Sequence, residues 1–241
     1  MTGEITPTSI VVLTGAGVSA ESGLKTFRDN NGLWEDHSVE EVATPEAFAA
    51  NPALVQRFYN LRRQQLVEDA EPNAAHEYLA EFERQFPGRF TLVTQNVDDL
   101  HDRAGSQNLL HMHGELLKVR CAGSGKIFDR TTPLYSDETC SCCGSAGTLR
   151  PHIVWFGEIP LYMDEIQEAL ASCDLFVSIG TSGNVYPAAG FQQMARSYGA
   201  HTVELNLEAS AGASYFHEQH YGPATKIVPE FFEPLLEKVI P

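Results

Sequence analysis

The run Ser9-Ile10-Val11-Val12-Leu13-Thr14 passes directly into Gly15-Ala16-Gly17-Val18-Ser19-Ala20. A β-rich strand feeding G-x-G-x-x-A constrains this chain more than any other feature. The glycines let backbone approach a pyrophosphate, and the N–H groups of the helix that follows can receive it. Such a turn needs a parallel sheet to carry it, and the rest of the chain has the matching rhythm. Short β-rich runs at 10–14, 90–94, 175–179 and 202–207 alternate with helix-like stretches at 52–68, 73–85, 163–173, 186–198 and 230–239. Several runs end at polar or glycine-containing turns: Thr14-Gly15-Ala16-Gly17, Thr94-Gln95-Asn96, Gly180-Thr181-Ser182 and Asn206-Leu207-Glu208. Ligands of open α/β sheets bind outside the carboxyl ends of the strands, so one site drawing on all four turns is expected.

Two segments break the rhythm, about 20–71 and about 116–150, the second rich in Gly, Ser, Thr, Asp and Cys. The expected fold is therefore α/β, a Rossmann-like parallel sheet with a smaller inserted lobe made of a helical segment and a cysteine-bearing, zinc-ribbon-like segment. The large lobe would take about 1–20, 72–115 and 151–241, and the small lobe about 21–71 and 116–150. With 241 residues, 43% of them hydrophobic, the chain can bury one large core.

A net charge of −16 argues against a general binder of nucleic-acid backbones, which displaces counterions with basic patches. No apolar run approaches the ~20 residues of a membrane helix, and residues 1–7 lack the basic and apolar regions of a secretory signal. A cytoplasmic monomer is expected. Four of the five cysteines, Cys121, Cys140, Cys142 and Cys143, fall in one stretch, which suggests metal rather than a disulfide framework. Cys173, before an apolar run, reads as a small core residue.

The glycine turn alone also suits a dehydrogenase, with Glu35 or Asp36 near the position of an acidic ribose partner. However, Glu21-Ser22-Gly23-Leu24-Lys25-Thr26-Phe27-Arg28-Asp29 follows it, where a dehydrogenase would continue an apolar-faced helix. Gly23 and its polar neighbours suggest an early break into a loop over the cofactor. This block, with Gly32-Leu33-Trp34, resembles the first signature of the sirtuins. Thr94-Gln95-Asn96-Val97-Asp98-Asp99-Leu100-His101 resembles their nicotinamide-pocket stretch, and His111-Met112-His113-Gly114-Glu115 their catalytic His-Gly. Val154-Trp155-Phe156-Gly157-Glu158, Gly180-Thr181-Ser182 and Leu205-Asn206-Leu207-Glu208 match further along, in the family's order.

The resemblance implies an enzyme that consumes NAD as a co-substrate. The nicotinamide bond breaks, the acyl-lysine carbonyl oxygen attacks the exposed sugar carbon, and lysine, nicotinamide and O-acyl-ADP-ribose result. It implies that Gly15, Ala16, Gly17, Ser19, Ala20 and Arg28 surround the phosphates and ribose, with Phe27 screening the reacting carbon. Asn96 and Asp98 would hold the carboxamide beside Val97, and Gln95 would contact the ribose. Gly180, Thr181 and Ser182 would line the dinucleotide, and Asn206, Leu207 and Glu208 the adenosine ribose. On residue type alone, Asn96 and Asp98 could equally cap a turn.

His113 is the expected general base for a ribose hydroxyl, since imidazole titrates near neutrality and Gly114 leaves room for substrate. His101 and His111 are rivals until the His-Gly pair selects His113. The acyl-lysine peptide is expected to add as a strand along extended backbone at 154–158, through Val154, Phe156, Gly157 and Glu158. Tyr59 and Arg62 share a helix face and could hold an acyl-chain carboxylate, or could be packed and solvated respectively. Phe58-Tyr59-Asn60-Leu61-Arg62-Arg63 resembles the Tyr-x-x-Arg segment of the sirtuin branch that removes succinyl and malonyl groups, and Ala43 stands where that branch keeps a small residue. Deacetylase and desuccinylase activity together are expected.

Sirtuins carry a structural zinc on two Cys-x-x-Cys pairs. Here Ser124 stands where the second thiolate of the first pair belongs, and a hydroxyl is a poor zinc ligand beside thiolates. Cys121, Cys140 and Cys143 are the expected ligands, with Cys142 a substitute if the loop adapts; a metal-free loop is the alternative. Other outcomes open on sequence are a noncatalytic NAD-binding module and protein mono-ADP-ribosylation, which intercepts the same activated sugar with another nucleophile.

Overall fold

The structure is a computed structural model that describes residues 6–24 and 37–239. The first half of the chain runs β1 (Ser9–Thr14), α1 (Ala16–Ser19), α2 (Val39–Val42), α3 (Pro45–Ala50), α4 (Pro52–Glu68), α5 (Ala74–Gln85), β2 (Arg89–Thr94), α6 (Leu100–Ala104) and β3 (Leu109–His111). The second half runs β4 (Gly114–Cys121), β5 (Ile127–Asp129), β6 (Leu149–Ile153), α7 (Met163–Ser172), β7 (Leu175–Ile179), α8 (Phe191–Ser197), β8 (His201–Asn206), β9 (Glu218–Tyr221) and α9 (Ala224–Val239).

Six strands form a sheet in the order β3-β2-β1-β7-β8-β9, every pair parallel. Alternate residues feed two apolar layers. Ile10, Val12, Leu92, Val177 and Val203 face Leu79 and Phe82 of α5 and Val228 and Phe232 of α9. Val11, Leu13, Val93 and Phe176 face Ile166 and Leu170 of α7 and Phe191 and Ala195 of α8. Strands buried on both faces read as continuous apolar runs, which is why β1, β2, β7 and β8 stand out in the sequence. The edge strands β3 and β9 do not. They are short and half exposed, and their residues carry no clear period.

Two helices differ from the sequence reading. The stretch expected over 186–198 is interrupted by Pro187 and Gly190, so a 3-10 turn over Ala188–Gly190 precedes a shorter α8. Conversely, α9 starts at Ala224 rather than at 230 and carries Pro229 and Pro234 inside it. An interior proline costs a helix about 3 kcal/mol. Here Ile227, Val228 and Phe232 are buried in the main core, and the Glu21 carboxylate receives Thr225 N–H and Oγ1 at 3.0 and 2.8 Å. Packing and that anchor outweigh the lost bonds.

The small lobe holds a three-stranded antiparallel sheet, β5-β4-β6, packed against α4. Asn51 caps α4 by accepting the Leu54 N–H at 3.1 Å, with Pro52 in the first turn. Val55, Phe58, Tyr59 and Leu66 of α4 meet Leu116 of β4 and Ile153 of β6. Among the described residues no helix is long and apolar enough to cross a membrane.

Candidate functional site

The parallel register brings Thr14, Thr94, His111, Ile179 and Leu205 level at the carboxyl end of the sheet. The turns beyond them border one cavity of about 710 Å³. Gly15, Ala16, Gly17, Ser19, Ala20, Gln95, Asn96, Val97, Asp98, His113, Gly180, Thr181, Ser182, Asn206, Leu207 and Glu208 all line it. So do Ala43, Tyr59, Arg62, Val154, Phe156, Gly157 and Glu158 from the small-lobe side. Phe27 and Arg28 lie outside the described residues.

At the glycine turn two backbones interlock. Gly17 N–H donates to the Gly180 carbonyl at 2.9 Å, and a Cβ on Gly17 would stand 2.7 Å from Gly180 Cα. Gly180 has φ +63°, and its own Cβ would meet Val18 N at 2.5 Å. Both positions therefore need glycine. The helix after the turn breaks early, as the polar sequence implies: α1 has one turn, a 3-10 turn over Ala20–Ser22 follows, and Gly23 ends it with φ +86°.

Behind the turn, buried polar groups satisfy one another. The Asn73 backbone N–H donates to His76 Nδ1 at 3.2 Å, so His76 carries its proton on Nε2 and donates to Ser19 Oγ at 3.3 Å. Asn96 Nδ2 also donates to Ser19 Oγ at 3.0 Å, and Ser19 donates in turn to Asp98 Oδ2 at 3.1 Å. Leu100 N–H donates to Asp98 Oδ1 at 3.2 Å. Burial pushes the Asp98 carboxyl up to about 6 against the pull of those two bonds. Burial also lowers His76 to about 4. Asn206 is committed too: its Nδ2 donates to Thr181 O at 2.7 Å and its Oδ1 accepts Leu207 N–H at 3.0 Å, which fixes the turn after β8.

Three histidines cluster near the strand ends, and their contacts separate them. His101 is fully buried, with Nε2 on Thr14 Oγ1 at 3.1 Å, and burial holds it well below the ordinary value. His111 has Nε2 on Asp102 at 3.0 Å; burial works against its charge, but the Asp102 bond and nearby carboxylates leave it raised. Neither lines the cavity. His113 does. Its Nδ1 lies 3.0 Å from the Gln95 carbonyl, and because a carbonyl only accepts, Nδ1 carries the proton and Nε2 is the bare acceptor. Burial lowers His113, partly offset by that bond, so the ring is neutral at neutral pH. Gly114 has a second reason beside the one expected: at φ +82°, a Cβ there would lie 2.1 Å from His152 O. Glycine lets β4 and β6 close together.

On the wall formed by α4, Tyr59 is fully buried and Arg62 only 9% exposed. Arg62 therefore lies in the cavity wall and not in solvent; burial lowers its guanidinium to about 10, which leaves it charged near neutrality. Arg63 is the structural neighbour, donating to Leu116 O at 3.2 Å and Asn60 Oδ1 at 2.8 Å.

The segment expected to be extended over 154–158 leaves the strand at Ile153; 156–158 turn, with Gly157 at φ +90°. Glu158 drives the turn by accepting Trp155 N–H at 2.8 Å and binding Arg150 at 2.7 and 2.9 Å and Arg120 at 2.9 Å. Val154 N–H already donates to His113 O at 2.8 Å and Phe156 N–H to Ala43 O at 3.0 Å. An added strand would have to pair through carbonyls and Gly157. Sequence reasoning also passed over Trp155, Val185, Tyr186, Pro223 and Ile227, which line the same cavity. Pro223 follows β9, and without that strand its turn carried no signal.

In the cysteine segment, the sulfurs of Cys121, Cys140, Cys142 and Cys143 all lie within 4.8 Å of one another. Cys142 joins the three expected ligands as the fourth, with Ser124 Oγ 3.2 Å from its sulfur. Tetrahedral zinc with bonds of ~2.3 Å sets sulfurs about 3.8 Å apart. Cys121 and Cys143 stand at 3.7 Å, and Cys140 and Cys142, at 3.1 Å, need only a slight opening. The donor set fits zinc. It lies in the small lobe and none of the four cysteines lines the large cavity.

The Sir2 family model matches residues 15–187. A protein of Pasteurella multocida (strain Pm70) named NAD-dependent protein deacylase is 63% identical over 228 residues, covering 94% of this chain and 97% of the relative. One of the same name from Salmonella typhimurium is 59% identical over 229 residues, covering 95% and 84%. Among solved structures, a Sir2 homologue in complex with NAD superposes with TM-score 0.87 at 37% identity, covering 96% of this chain and 91% of that one. A Sir2 protein bound to acetylated peptide superposes with TM-score 0.79 at 25% identity, covering 95% and 93%.

Proposed function

The chain belongs to the Sir2 family and is an NAD-dependent protein deacylase, and we propose that its range extends from acetyl to acidic acyl groups such as succinyl and malonyl. The observation that carries this reading is the pairing of buried Tyr59 and Arg62 in the cavity wall beside the small Ala43. A desolvated guanidinium is a poor neighbour for a methyl group and a strong one for a carboxylate, where a charge-assisted bond supplies discrimination. The phenol adds a second donor.

In this reading NAD lies along Gly15, Ala16, Gly17, Ser19, Ala20, Gly180, Thr181 and Ser182, with its nicotinamide end toward Gln95, Asn96, Val97 and Asp98 and its adenosine end toward Asn206, Leu207 and Glu208. NAD bound there would offer its sugar carbon to the acyl oxygen as nicotinamide leaves; His113 Nε2 would accept a proton from a ribose hydroxyl, whose oxygen would then take the acyl carbon, with lysine released and one water consumed to give O-acyl-ADP-ribose. The peptide runs past Val154, Phe156, Gly157 and Glu158. A zinc held by Cys121, Cys140, Cys142 and Cys143 would brace the small lobe and take no part in the reaction. We place the enzyme in the cytoplasm as a monomer; thiols clustered as for an ion and a net charge of −16 support this.

The test is to incubate the protein with acetyl- and succinyl-lysine peptides, with and without NAD, and to follow product masses. Both peptides should lose 

their acyl group only with NAD. Arg62→Met should lower kcat/KM for the succinyl peptide about 100-fold and for the acetyl peptide far less. Equal losses would remove the carboxylate clamp.

A further inference from the structure

Trp155 lies between two residues already assigned to the peptide path, yet its side chain points elsewhere. It is 2% exposed, and its Nε1–H donates to Tyr59 Oη at 2.9 Å. The indole is held firmly. Arg150 Cζ stacks 3.4 Å from its ring centroid, and the Phe48 ring lies 5.2 Å away, centroid to centroid. Arg150 is itself fixed by both Glu158 oxygens, at 2.7 and 2.9 Å, and by Ile153 O at 3.0 Å. Glu158 also receives the Trp155 backbone N–H. A chain of contacts thus runs from the turn at 156–158, through Arg150 and the indole, to the phenol of α4.

The chemistry of this bond is directional. An indole N–H only donates, so Tyr59 oxygen is the acceptor in this bond, and the phenol can act as a donor only through its own O–H. Burial raises the Tyr59 phenol far above neutrality, so that proton is present at working pH. A phenol oriented as a donor suits an acyl-chain carboxylate and gains nothing from an acetyl methyl group. Resting on the acyl reading above, we infer that Trp155 is a specificity-determining positioning residue, its indole N–H fixing Tyr59 as a donor toward acidic acyl groups.

Trp155→Phe keeps a ring under Arg150 but removes the N–H together with the indole's second ring, so a Tyr59→Phe background is what separates the lost N–H from the lost packing. The ratio of kcat/KM for succinyl peptide to that for acetyl peptide should fall about tenfold, mainly through a higher KM for the succinyl peptide, because the contact acts on binding. On a Tyr59→Phe background the same substitution should change that ratio less than twofold, since the oxygen it acts on is gone. Equal losses for both peptides, an unchanged ratio, or an undiminished effect without the Tyr59 hydroxyl would each overturn the inference. Failure of the acyl reading is separately visible. If the unsubstituted protein leaves succinyl peptide intact, or Arg62→Met spares selectivity, that reading falls and takes this inference with it. If Arg62→Met abolishes selectivity while Trp155→Phe does not, only the role of Trp155 is lost.

Discussion

The carboxyl edge of the six-stranded sheet and the cysteine segment of the small lobe are built in opposite ways. At the sheet edge the polar groups have chosen partners within the protein: Ser19 with His76, Asn96 and Asp98, and His113 with Gln95. The protein's own bonds hold that geometry. In the cysteine segment four thiols crowd together, backed by a small cluster of Val119, Leu134 and Leu149. Thiols are weak hydrogen-bonding groups, so four of them this close suit an ion better than they suit one another. A site that reacts is preorganised by hydrogen bonds, whereas a site that braces can let the metal organise it.

That contrast predicts that chemistry and stability can be broken separately. His113→Ala should give the largest effect, lowering kcat/KM for deacetylation by about 100- to 10,000-fold, the usual share of a general base. The protein should unfold within a few degrees of the parent, since only one hydrogen bond, worth about 1 kcal/mol, is lost. Steady-state kinetics with thermal unfolding checks both. A collapse of the thermal midpoint would show that the sheet edge needs His113 to hold its shape, and the contrast would fail.

Cys142→Ser should do the reverse. With three thiolates left, zinc content measured on purified protein should fall well below one per chain, and stability should drop by on the order of 3 kcal/mol, roughly 10 °C for a chain of this size. NAD binding at the sheet edge should weaken far less. Ser124→Ala is the matched control: if Cys142 supplies the fourth thiolate, metal content stays at one per chain. Loss of zinc in Ser124→Ala but not in Cys142→Ser would return the fourth position to Ser124 and leave Cys142 a bystander.

The same contrast explains what the sequence made legible. Gly15 to Ala20 could be read because backbone interlocking at Gly17 and Gly180 tolerates no other residue, so function is written in residue type. The order of strand and helix was legible because β1, β2, β7 and β8 are buried on both faces. What could not be read depends on contacts across long sequence separations. The three histidines differ in which oxygen each meets and in whether the ring reaches the cavity. Cys142 rather than position 124 completes the thiol group because of how the loop folds. Gly114 is also needed for the close approach of β4 to His152, which no local pattern announces. Trp155 acts through Tyr59, 96 positions away, and no local pattern announces such a bond. α9 runs through two prolines because its apolar face is buried.

The smallest effect tests whether the sheet edge carries stored cost. Asp98 is buried, and its folded-state carboxyl stands at about 6 against an ordinary 3.8. A raised carboxyl means that the folded state binds the proton more tightly than the unfolded chain. Its contribution to stability is complete below about 3.8 and is lost as pH rises through about 6, when a charge must sit in a dry site. Asp98→Asn removes that titration. The amide also changes the pattern at Ser19, which already accepts from His76 and Asn96, but that mismatch is the same at every pH and cancels when two pH values are compared. The stability of Asp98→Asn relative to the parent should therefore be more favourable at pH 7.5 than at pH 4.5, by on the order of 2 kcal/mol, in urea unfolding at both values. Deacylation should be lost in the same variant, because the carboxylate that destabilises the edge is the one assigned to the nicotinamide. A difference that does not change with pH would mean that Asp98 stays near its ordinary value, and the sheet edge would then be as free of strain as its hydrogen bonds suggest.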